Sequence, residues 1–348
     1  MPRAYIVILN WNNWADTIEC LGSVFRNDYP NFRVIVCDNG STDGSLDHIR
    51  AWAEGRLSAR SASPAMRGFS TPAPAGPIPH VEFNGCFPGH EDLGNPDDTR
   101  LVLLQTGANL GFAGGNNAGL RYAMRDPAMR HVWLLNNDVV IRPDALIRLI
   151  ERMEEQSCRG RPGGMCGSTL LYYHRPDTAQ VLGGSRYSKW RCRAMPIGMG
   201  KFSATEIDRQ SVEDQLGYIA GASMLVSRDF LESVGLMHEG YFLYYEEMDW
   251  AMRARNRYAL LYAPGSIVYH KEGGTIGTAS MSRPSPLSVF YMQRSRMLFM
   301  KKFFKWQLAY FYGIVFGELL TAVLRRDFYS TRWKIAGTLG RIPDRFRP

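Results

Sequence analysis

Apolar runs typical of buried strands alternate with helix-like segments along most of this 348-residue chain. The first four segments are AYIVILN, residues 16–25, FRVIVCDN and Ser45–Ala53. When a helix follows each strand, it carries the chain back across the sheet, so successive strands pair in parallel. The alternation therefore predicts an α/β fold with a mostly parallel sheet flanked by helices.

Residues 55–100 interrupt this alternation. Seven prolines stand there among Ser, Ala and Gly, and such a composition buries too little apolar surface to fold. We predict a flexible insertion within a single domain that covers residues 1–282. The alternation resumes with RLVLLQT, a Gly/Asn-rich turn, a helix over residues 117–125, a strand over 132–135 and a helix over 143–156.

Polar clusters follow four of the predicted strands. They are Asn10-Trp11-Asn12, Asp38-Asn39-Gly40, the segment that holds Asn109, Gly111, Gly114 and Asn117, and Asn136-Asn137-Asp138. Each cluster alone is also typical of an Asx turn or a helix cap. Ligands of a parallel sheet gather outside the carboxyl ends of its strands. We therefore expect the four clusters to lie side by side along one binding cleft.

One of these clusters resembles a dinucleotide-binding motif. TGANLGFA approaches the TGxxxGxG pattern of short-chain dehydrogenases, but Ala113 occupies the last glycine position and no YxxxK follows. The segment also follows the third strand instead of the first. These departures make an NAD-dependent oxidoreductase the weaker alternative. What the glycines permit is a close approach of the backbone to a ligand, with N–H donors for phosphate oxygens.

An acidic cluster, Glu246, Glu247 and Asp249, lies in YYEEMDW. Mutual repulsion predicts a raised pKa for at least one of these carboxyls. A solvated helix start, favoured by the helix dipole, is the alternative. Large aromatic residues flank the cluster, namely Phe242, Tyr244, Tyr245 and Trp250. This setting favours a general base beside an aromatic platform for a sugar.

His270 ends the second of two short strands predicted in YALLYAPGSIVYH. A lone histidine is usually a structural residue. At another strand end, however, it could complete a metal site with Asp138. Oxygen and imidazole ligands together suit Mn²⁺ or Mg²⁺.

The chain carries six motifs in a familiar order: VILNWNN, VIVCDNGSTDGS, NLGFAGGNNAG, WLLNNDVVI, GASMLVSRDFLESVGLMHEGYFLYYEEMDWAMRAR and IVYHKEGGT. Together they resemble the inverting family 2 glycosyltransferases of the GT-A fold. Within that family they are similar to bacterial rhamnosyltransferase-like and galactofuranosyltransferase-like enzymes. The resemblance runs from Tyr5 to about Phe304, without the insertion.

The resemblance implies a function. A hexose, with L-rhamnose as the first guess, would pass from a dTDP- or UDP-sugar to a hydroxyl of a glycan or lipid-linked acceptor in cell-surface polysaccharide synthesis. An inactive sugar-nucleotide-binding relative of the same fold is the alternative. An inverting transfer needs a base for the acceptor hydroxyl and a cation for the departing nucleoside diphosphate. It needs no covalent nucleophile.

The resemblance also implies residue roles. The turn after the first strand and Asp38 would hold the nucleobase and ribose, and the Gly/Asn-rich segment would line the nucleotide cleft. NND stands where the family usually shows a DxD-like motif, so Asp138 would bind the divalent cation, Mg²⁺ or Mn²⁺. The catalytic base would be Glu247 or its neighbour Glu246, and Asp249 would orient the base or the acceptor.

Basic residues concentrate near the end of the chain. From residue 283 onward there are thirteen of the 41 Lys and Arg but three of the 33 Asp and Glu. Because the remainder is slightly acidic, we expect no nucleic-acid partner but a tail that faces an anionic surface.

KKFFKWQLAYFYGIVFGELLTAVLRR, within this tail, is just long enough to span a bilayer. Gln307, Glu318 and two glycines favour instead a helix that lies in the membrane interface or packs in a homo-oligomer. An ordinary core helix is the third alternative. We predict that residues 283–348 form a helical region that docks a cytoplasmic enzyme on the inner face of the cell membrane, where basic flanks meet anionic lipids.

Overall fold

The computed structural model describes residues 1–71, 76–84, 99–157, 160–201, 207–271, 284–340 and 342. The described strands are β1 (Arg3–Asn10), β2 (Phe32–Asp38), β3 (His80–Asn84), β4 (Leu101–Gln105), β5 (Met129–Asn136), β6 (Val139–Ile141), β7 (Gly163–Tyr172), β8 (Arg175–Leu182), β9 (Gly184–Ser188), β10 (Arg193–Pro196), β11 (Tyr218–Ile219), β12 (Ser223–Ser227) and β13 (Ala259–His270). The described helices are α1 (Trp14–Val24), α2 (Ser45–Ala53), α3 (Arg67–Ser70), α4 (Gly111–Met124), α5 (Ala145–Ser157), α6 (Arg209–Glu213), α7 (Arg228–Val234), α8 (Glu246–Ala254), α9 (Pro286–Phe303), α10 (Leu308–Leu324) and α11 (Phe328–Leu339).

The central sheet has the order β3-β4-β2-β1-β5-β12-β7-β13-β6, and β8 pairs with β7. Its first five strands are parallel, β12 runs antiparallel to both neighbours, and β13 is parallel to β7. A smaller sheet has the order β10-β9-β11. The predicted mixed α/β fold with a mostly parallel sheet and flanking helices is therefore confirmed.

The sheet is buried on both faces. In β1, Ile6 and Ile8 join a core that also contains residues of α1, α2 and α5. Tyr5 and Val7 point the other way, into a core with residues of α4, α7 and α8. Because both faces need apolar side chains, the strand reads as a continuous apolar run instead of an alternating one.

The predicted insertion, residues 55–100, contains regular structure in its described parts. Strand β3 pairs in parallel with β4, and Val81 and Phe83 pack against the core beneath. Met66, just before α3, is fully buried. The prediction of a flexible excursion is wrong for these parts, because the alternation in HVEFN suits an edge strand despite the surrounding prolines. Residues 72–75 and 85–98 lie outside the described residues.

Strand β13 replaces the two short strands predicted up to His270. Its register against β7 shifts between Ala263 and Ile267, where Pro264 and Gly265 stand. Proline lacks the N–H that the ladder needs. The break is a local irregularity, and pairing resumes after it.

Helix α9 begins at a cap that the sequence analysis missed. Ser285 Oγ accepts a hydrogen bond from the Ser288 N–H at 3.1 Å, and Pro286 occupies the first turn, where its missing N–H costs nothing. The helix packs against α11 and the loop before α8. The predicted boundary after residue 282 stays a prediction, since residues 272–283 lie outside the described part of the chain.

Candidate functional site

The predicted polar clusters meet at the carboxyl ends of the parallel strands. Asn10 Nδ2 donates to Asp38 Oδ1 at 2.8 Å, which joins the ends of β1 and β2. Asn39 Nδ2 donates to Asn109 Oδ1 at 3.0 Å, which joins β2 to the segment after β4. The register of β1 against β2, with Asn10 opposite Asp38, creates the first contact directly. Strand pairing thus brings together residues that lie far apart in sequence.

A cavity of about 230 Å³, which we call the first cavity, lies over these strand ends. Predicted site residues that line it are Trp11, Asn39, Asn109, Gly111, Asn136, Asn137, Asp138, Glu246, Glu247 and His270. Lining residues that the sequence analysis missed include Phe112, Gly221, Leu243 and Leu287. Leu287 belongs to α9. The apolar residues after the Ser285 cap were the sequence signal from which this helix could have been predicted.

Three predicted binding residues support the cleft from behind. Asn10 and Asp38 are buried and bond to each other and to Ser41. Asn12 Oδ1 accepts from the Thr42 N–H at 2.7 Å, so it ties the loop after β1 to the loop after β2. These side chains fix the loops that carry Trp11 and Asn39.

Four other predicted site residues lie outside the first cavity. Asn117 bonds to both backbone groups of Met237, and a side chain at Gly114 would meet Leu110. Trp250 is fully buried and donates to the Gly235 carbonyl at 2.7 Å. Their described contacts are structural, so Trp250 offers no platform for a sugar.

Asp249 is the fourth. Its carboxylate accepts hydrogen bonds from Tyr241, Arg253 and Lys302, at 3.0, 2.8 and 2.6 Å. It is fully buried on α8. These contacts tie α8 to α9, and the role of Asp249 in orienting the base or the acceptor stays a prediction.

The Gly/Asn-rich segment is not the open turn that its composition predicted. Helix α4 begins at Gly111, six residues before the predicted start. A Cβ at Gly115 would clash with Leu9, and one at Gly119 would clash with Val7. The two glycines therefore let the helix pack tightly on β1, and this packing overrides their poor helix propensity. Gly111, with φ of +72°, permits the close approach of the Phe242 carbonyl.

Asp138 and His270 form the candidate metal pair. Strand β6 pairs antiparallel with β13 and sets His270 opposite Val139, one residue beyond Asp138. The result is a distance of 3.2 Å between His270 Nε2 and Asp138 Oδ1. Burial raises the pKa of the Asp138 carboxyl, but His270, a backbone hydrogen bond and the charge of Lys271 together leave that pKa below its usual value. The carboxylate is therefore ionised at neutral pH.

The pair fits a divalent cation. Two ligands about 2.1 Å from one ion, at a right angle, lie about 3 Å apart, close to the observed separation. Asp138 Oδ1 is buried without a hydrogen-bond partner among the described residues. Within the described part of the chain, no group of three His, Cys, Asp or Glu side chains could hold a metal. Oxygens of a bound ligand or water would have to complete the coordination.

Gln180 is a further residue that the sequence did not reveal. Its Oε1 lies 2.8 Å from His270 Nδ1. If Nδ1 donates this bond, the Nε2 lone pair faces Asp138, as metal ligation requires. Gln180 comes from β8, which pairs with β7 and lies outside every motif considered above.

Glu246 and Glu247 open α8 with raised pKa values. Burial is the main cause for both, and it raises the pKa of Glu247 to about 7. The pKa of Glu246 rises well above its usual value, through burial and then through the charge of Glu247. The predicted elevation is confirmed, although burial outweighs repulsion. With a pKa of about 7, Glu247 titrates near neutral pH.

The loop before α8 is strained. Phe242, Tyr244 and Tyr245 have φ values of +63°, +66° and +73°, and a non-glycine residue there costs about 1–3 kcal/mol. Ser295 Oγ donates to the Leu243 carbonyl at 2.7 Å, and Phe112 N–H donates to the Phe242 carbonyl at 2.7 Å. Helices α9 and α4 thus hold the loop that positions the two glutamates.

A larger cavity, of about 880 Å³, adjoins the first; we call it the second cavity. It lies between the small sheet and α9, α10 and α11. Both cavities are lined by Asn136, Gly221, Ala222, Tyr244, Glu247 and His270. Glu246 lines the first cavity but not the second. Glu247 therefore lies where the two cavities meet.

Sequence comparison finds two matching family profiles. The profile described as Glycosyl transferase family 2 matches residues 5–61, and Glycosyltransferase like family 2 matches residues 91–296, more than half of the chain. A low-salt glycan biosynthesis hexosyltransferase of Haloferax volcanii is 24% identical over 155 residues. The match covers 44% of this chain and 46% of that relative, so the chain matches less than half the length of this curated protein.

Solved structures share the fold. The mannosyltransferase PcManGT from Pyrobaculum calidifontis, in complex with GDP-Man and Mn²⁺, superposes with a TM-score of 0.52 and 14% identity, over 97% of this chain and 74% of that one. GalNAc-T7 with UDP, GalNAc and Mn²⁺ has a TM-score of 0.50 and 13% identity, over 84% of this chain and 47% of that one. At this identity the likeness concerns the fold alone.

Proposed function

This chain belongs to glycosyltransferase family 2, and we propose that it is an inverting hexosyltransferase with Glu247 as its base. The observation that carries the proposal is the place of Glu247 between the two cavities. A base must reach the acceptor hydroxyl while that hydroxyl faces the donor sugar. A carboxylate at the junction of a donor cavity and an acceptor cavity meets this requirement.

The first cavity is the proposed donor site. Trp11 offers a ring for the nucleobase, and the amides of Asn39 and Asn109 offer hydrogen bonds to the nucleoside. Asp138 and His270 would hold the divalent cation, Mg²⁺ or Mn²⁺, near the diphosphate. When bound, such a cation supplies positive charge for the oxygens of the leaving group. PcManGT and GalNAc-T7, which share the fold, are both complexes with Mn²⁺, and this supports a divalent cation in the proposed donor site.

Glu247 is the proposed proton acceptor. With a pKa of about 7, it is partly ionised at neutral pH and still basic enough to take a proton in the transition state. The acceptor oxygen then attacks the anomeric carbon opposite the leaving diphosphate, so one displacement inverts the configuration. The pKa of the neighbouring Glu246 is also raised, by burial and then by the charge of Glu247, which favours its neutral form.

The donor sugar and the acceptor are finer proposals. L-rhamnose on dTDP is the first candidate, because the sequence motifs resemble rhamnosyltransferases. A hexose more broadly is supported by the Haloferax hexosyltransferase. A glycan or lipid-linked acceptor of the cell surface would enter through the second cavity.

Membrane association of a cytoplasmic enzyme completes the proposal. The helical run Lys305–Leu324 is long and apolar enough to cross a bilayer. One side of it nevertheless packs on the protein, since Phe311 and Val315 are buried. Glu318 on the same side pairs with Arg296 at 2.9 Å. An ion pair and a buried stripe favour a helix that lies on the membrane surface.

The test is a screen of dTDP-, UDP- and GDP-sugars for binding with and without Mn²⁺, followed by turnover with candidate acceptors. We expect one donor class to bind more tightly with Mn²⁺ and to yield product of inverted anomeric configuration by NMR. Retained configuration would refute the single displacement. Metal-dependent binding without turnover on any acceptor would favour an inactive sugar-nucleotide-binding relative instead.

A further inference from the structure

The second cavity has a basic wall. Arg193 from β10, Arg296 from α9 and Lys334 from α11 line it, together with Glu318 from α10. Glu318 pairs with Arg296. Among the described residues neither Arg193 nor Lys334 pairs with a carboxylate. The wall therefore carries positive charge that its own acidic residue does not balance.

Arg296 is held in place by contacts on several sides of its guanidinium. Its side chain is 91% buried. Its Nε donates to the Cys192 carbonyl at 2.8 Å, its Nη1 donates to Glu318 at 2.9 Å, and its guanidinium lies 4.9 Å from the Phe311 ring centre. Its Nη2 has no hydrogen-bond partner among the described residues. An unmet buried donor on a charged group is costly, and an anionic ligand would satisfy it.

The helices that form this wall are apolar on their outer sides. On α10, Glu318 lines the cavity, while Phe316 and Leu320 are exposed. On α11, Lys334 lines the cavity and the next residue, Ile335, is exposed. A ligand with a polar head in the cavity could extend an apolar chain along this outer surface. The same two helices would then meet both of its parts.

We propose that the second cavity recognises an amphiphilic acceptor through a phosphoryl group bound by Arg296, while Arg193 and Lys334 of the same lining add positive charge. The inference rests on the proposed function, since it takes the sugar-accepting hydroxyl to lie at Glu247. The Nη2 of Arg296, which has no partner among the described residues, would donate to a phosphate oxygen, and the two further cations add positive charge for a dianion. The phosphoryl group would thus set the distance at which the hydroxyl meets the base.

The experiment measures binding to the full-length protein by calorimetry. The probes are dodecyl phosphate below its micelle concentration, inorganic phosphate, and uncharged dodecyl glucoside. We expect dodecyl phosphate to bind most tightly. Arg296→Gln should weaken this binding by about 10- to 100-fold, and Arg193→Gln and Lys334→Gln by about 2- to 5-fold each.

Matched controls remove the same charge from the same elements outside the cavity. Arg191→Gln next to β10 and Arg332→Gln on α11 concern exposed arginines that line neither cavity, so dodecyl phosphate affinity should stay unchanged. Should Arg296→Gln fail to fold, as thermal unfolding would reveal, the double variant Arg193→Gln/Lys334→Gln carries the test.

Unchanged dodecyl phosphate affinity in the cavity variants would overturn the site. If inorganic phosphate bound as tightly as dodecyl phosphate, the claim that the ligand is amphiphilic would be refuted. If dodecyl glucoside bound as tightly, the claim that a phosphoryl group is recognised would be refuted. Donor binding with Mn²⁺, measured on the same samples, reports on the proposed function separately. If no nucleotide-sugar donor bound, the proposed function would be refuted, independently of the result for dodecyl phosphate.

Discussion

Replacing Glu247 by Gln should abolish most transfer while leaving donor binding nearly unchanged. Gln keeps the size of the side chain and removes its basicity. General-base catalysis contributes roughly 10²- to 10⁴-fold, which corresponds to about 3–5 kcal/mol of activation free energy. The base acts on the acceptor hydroxyl, so donor affinity should change little. Transfer rate and donor affinity, measured side by side, test this directly.

The pH profile gives a second, independent signature. With a pKa of about 7, Glu247 is about half ionised at pH 7 and about one-tenth ionised at pH 6. We therefore expect kcat/KM for the acceptor to fall about fivefold between these pH values. Burial and the charge of Glu247 raise the pKa of Glu246 as well, which favours the protonated form of Glu246. The Glu246→Gln variant should therefore show the same fall in kcat/KM below pH 7 and keep much of the transfer rate.

As pH rises, the contribution of Glu247 to folding stability should decrease while the transfer activity increases. A carboxyl whose pKa is raised on folding favours the folded state while protonated, and that stability is lost as pH rises from about 4.5 through about 7. Glu247→Gln carries no such penalty. Its free energy of unfolding, relative to the wild type, should therefore increase between about pH 5 and pH 8.

The matched control is Glu232→Gln, an exposed glutamate on α7, which should alter neither rate nor pH profile. Near-normal transfer by Glu247→Gln would refute the reasoning. Loss of transfer in Glu246→Gln alone would assign the general base to Glu246. It would contradict the argument from the position of Glu247 between the two cavities. Loss of donor affinity together with transfer would mean that the substitution disturbed the donor site instead.

Three further predictions concern the cation and the membrane. Asp138→Asn should lower turnover by orders of magnitude with unchanged thermal unfolding; full activity in excess chelator would contradict the cation. Gln180→Leu should weaken Mn²⁺ binding about 10- to 100-fold by freeing the ring of His270, and an unaltered Mn²⁺ titration by EPR would remove that role. Phe316→Ser/Leu320→Ser should reduce binding to anionic vesicles without affecting donor affinity, whereas vesicle binding equal to the wild type would leave the α10 face without a membrane role.

Sequence patterns were sufficient for the first half of the central sheet. Strands β1, β2 and β5 are buried on both faces, so their apolar runs are long and their ends are marked by polar residues. Because parallel pairing puts all those ends at one edge, the cluster of Asn39, Asn109 and Asn137 could be expected from sequence order. Asp138 belongs to the same predicted cluster as Asn137, and it lines the same cavity.

The remainder depends on contacts between distant segments, which leave weak local traces. Strand β6 is only Val139–Ile141, yet it brings Asp138 to His270. Gln180 reaches His270 from a strand with an ordinary sequence. The early start of α4 contradicts helix propensity, because the packing of Gly115 on β1 decides it. In each case tertiary packing outweighed the local preference.

The position of the base depends on a helix that the sequence analysis assigned to a separate C-terminal region. Three aromatic residues before α8 have positive φ angles, and this strained backbone conformation needs support from neighbouring elements. Ser295 holds the Leu243 carbonyl, and Tyr244 pairs with Ser288 at 2.9 Å; both serines lie on α9. Helix α9 also supplies Leu287 to the first cavity. A functional boundary after residue 303 therefore agrees with these contacts better than one after residue 282, because α9 supports the loop that aims Glu247.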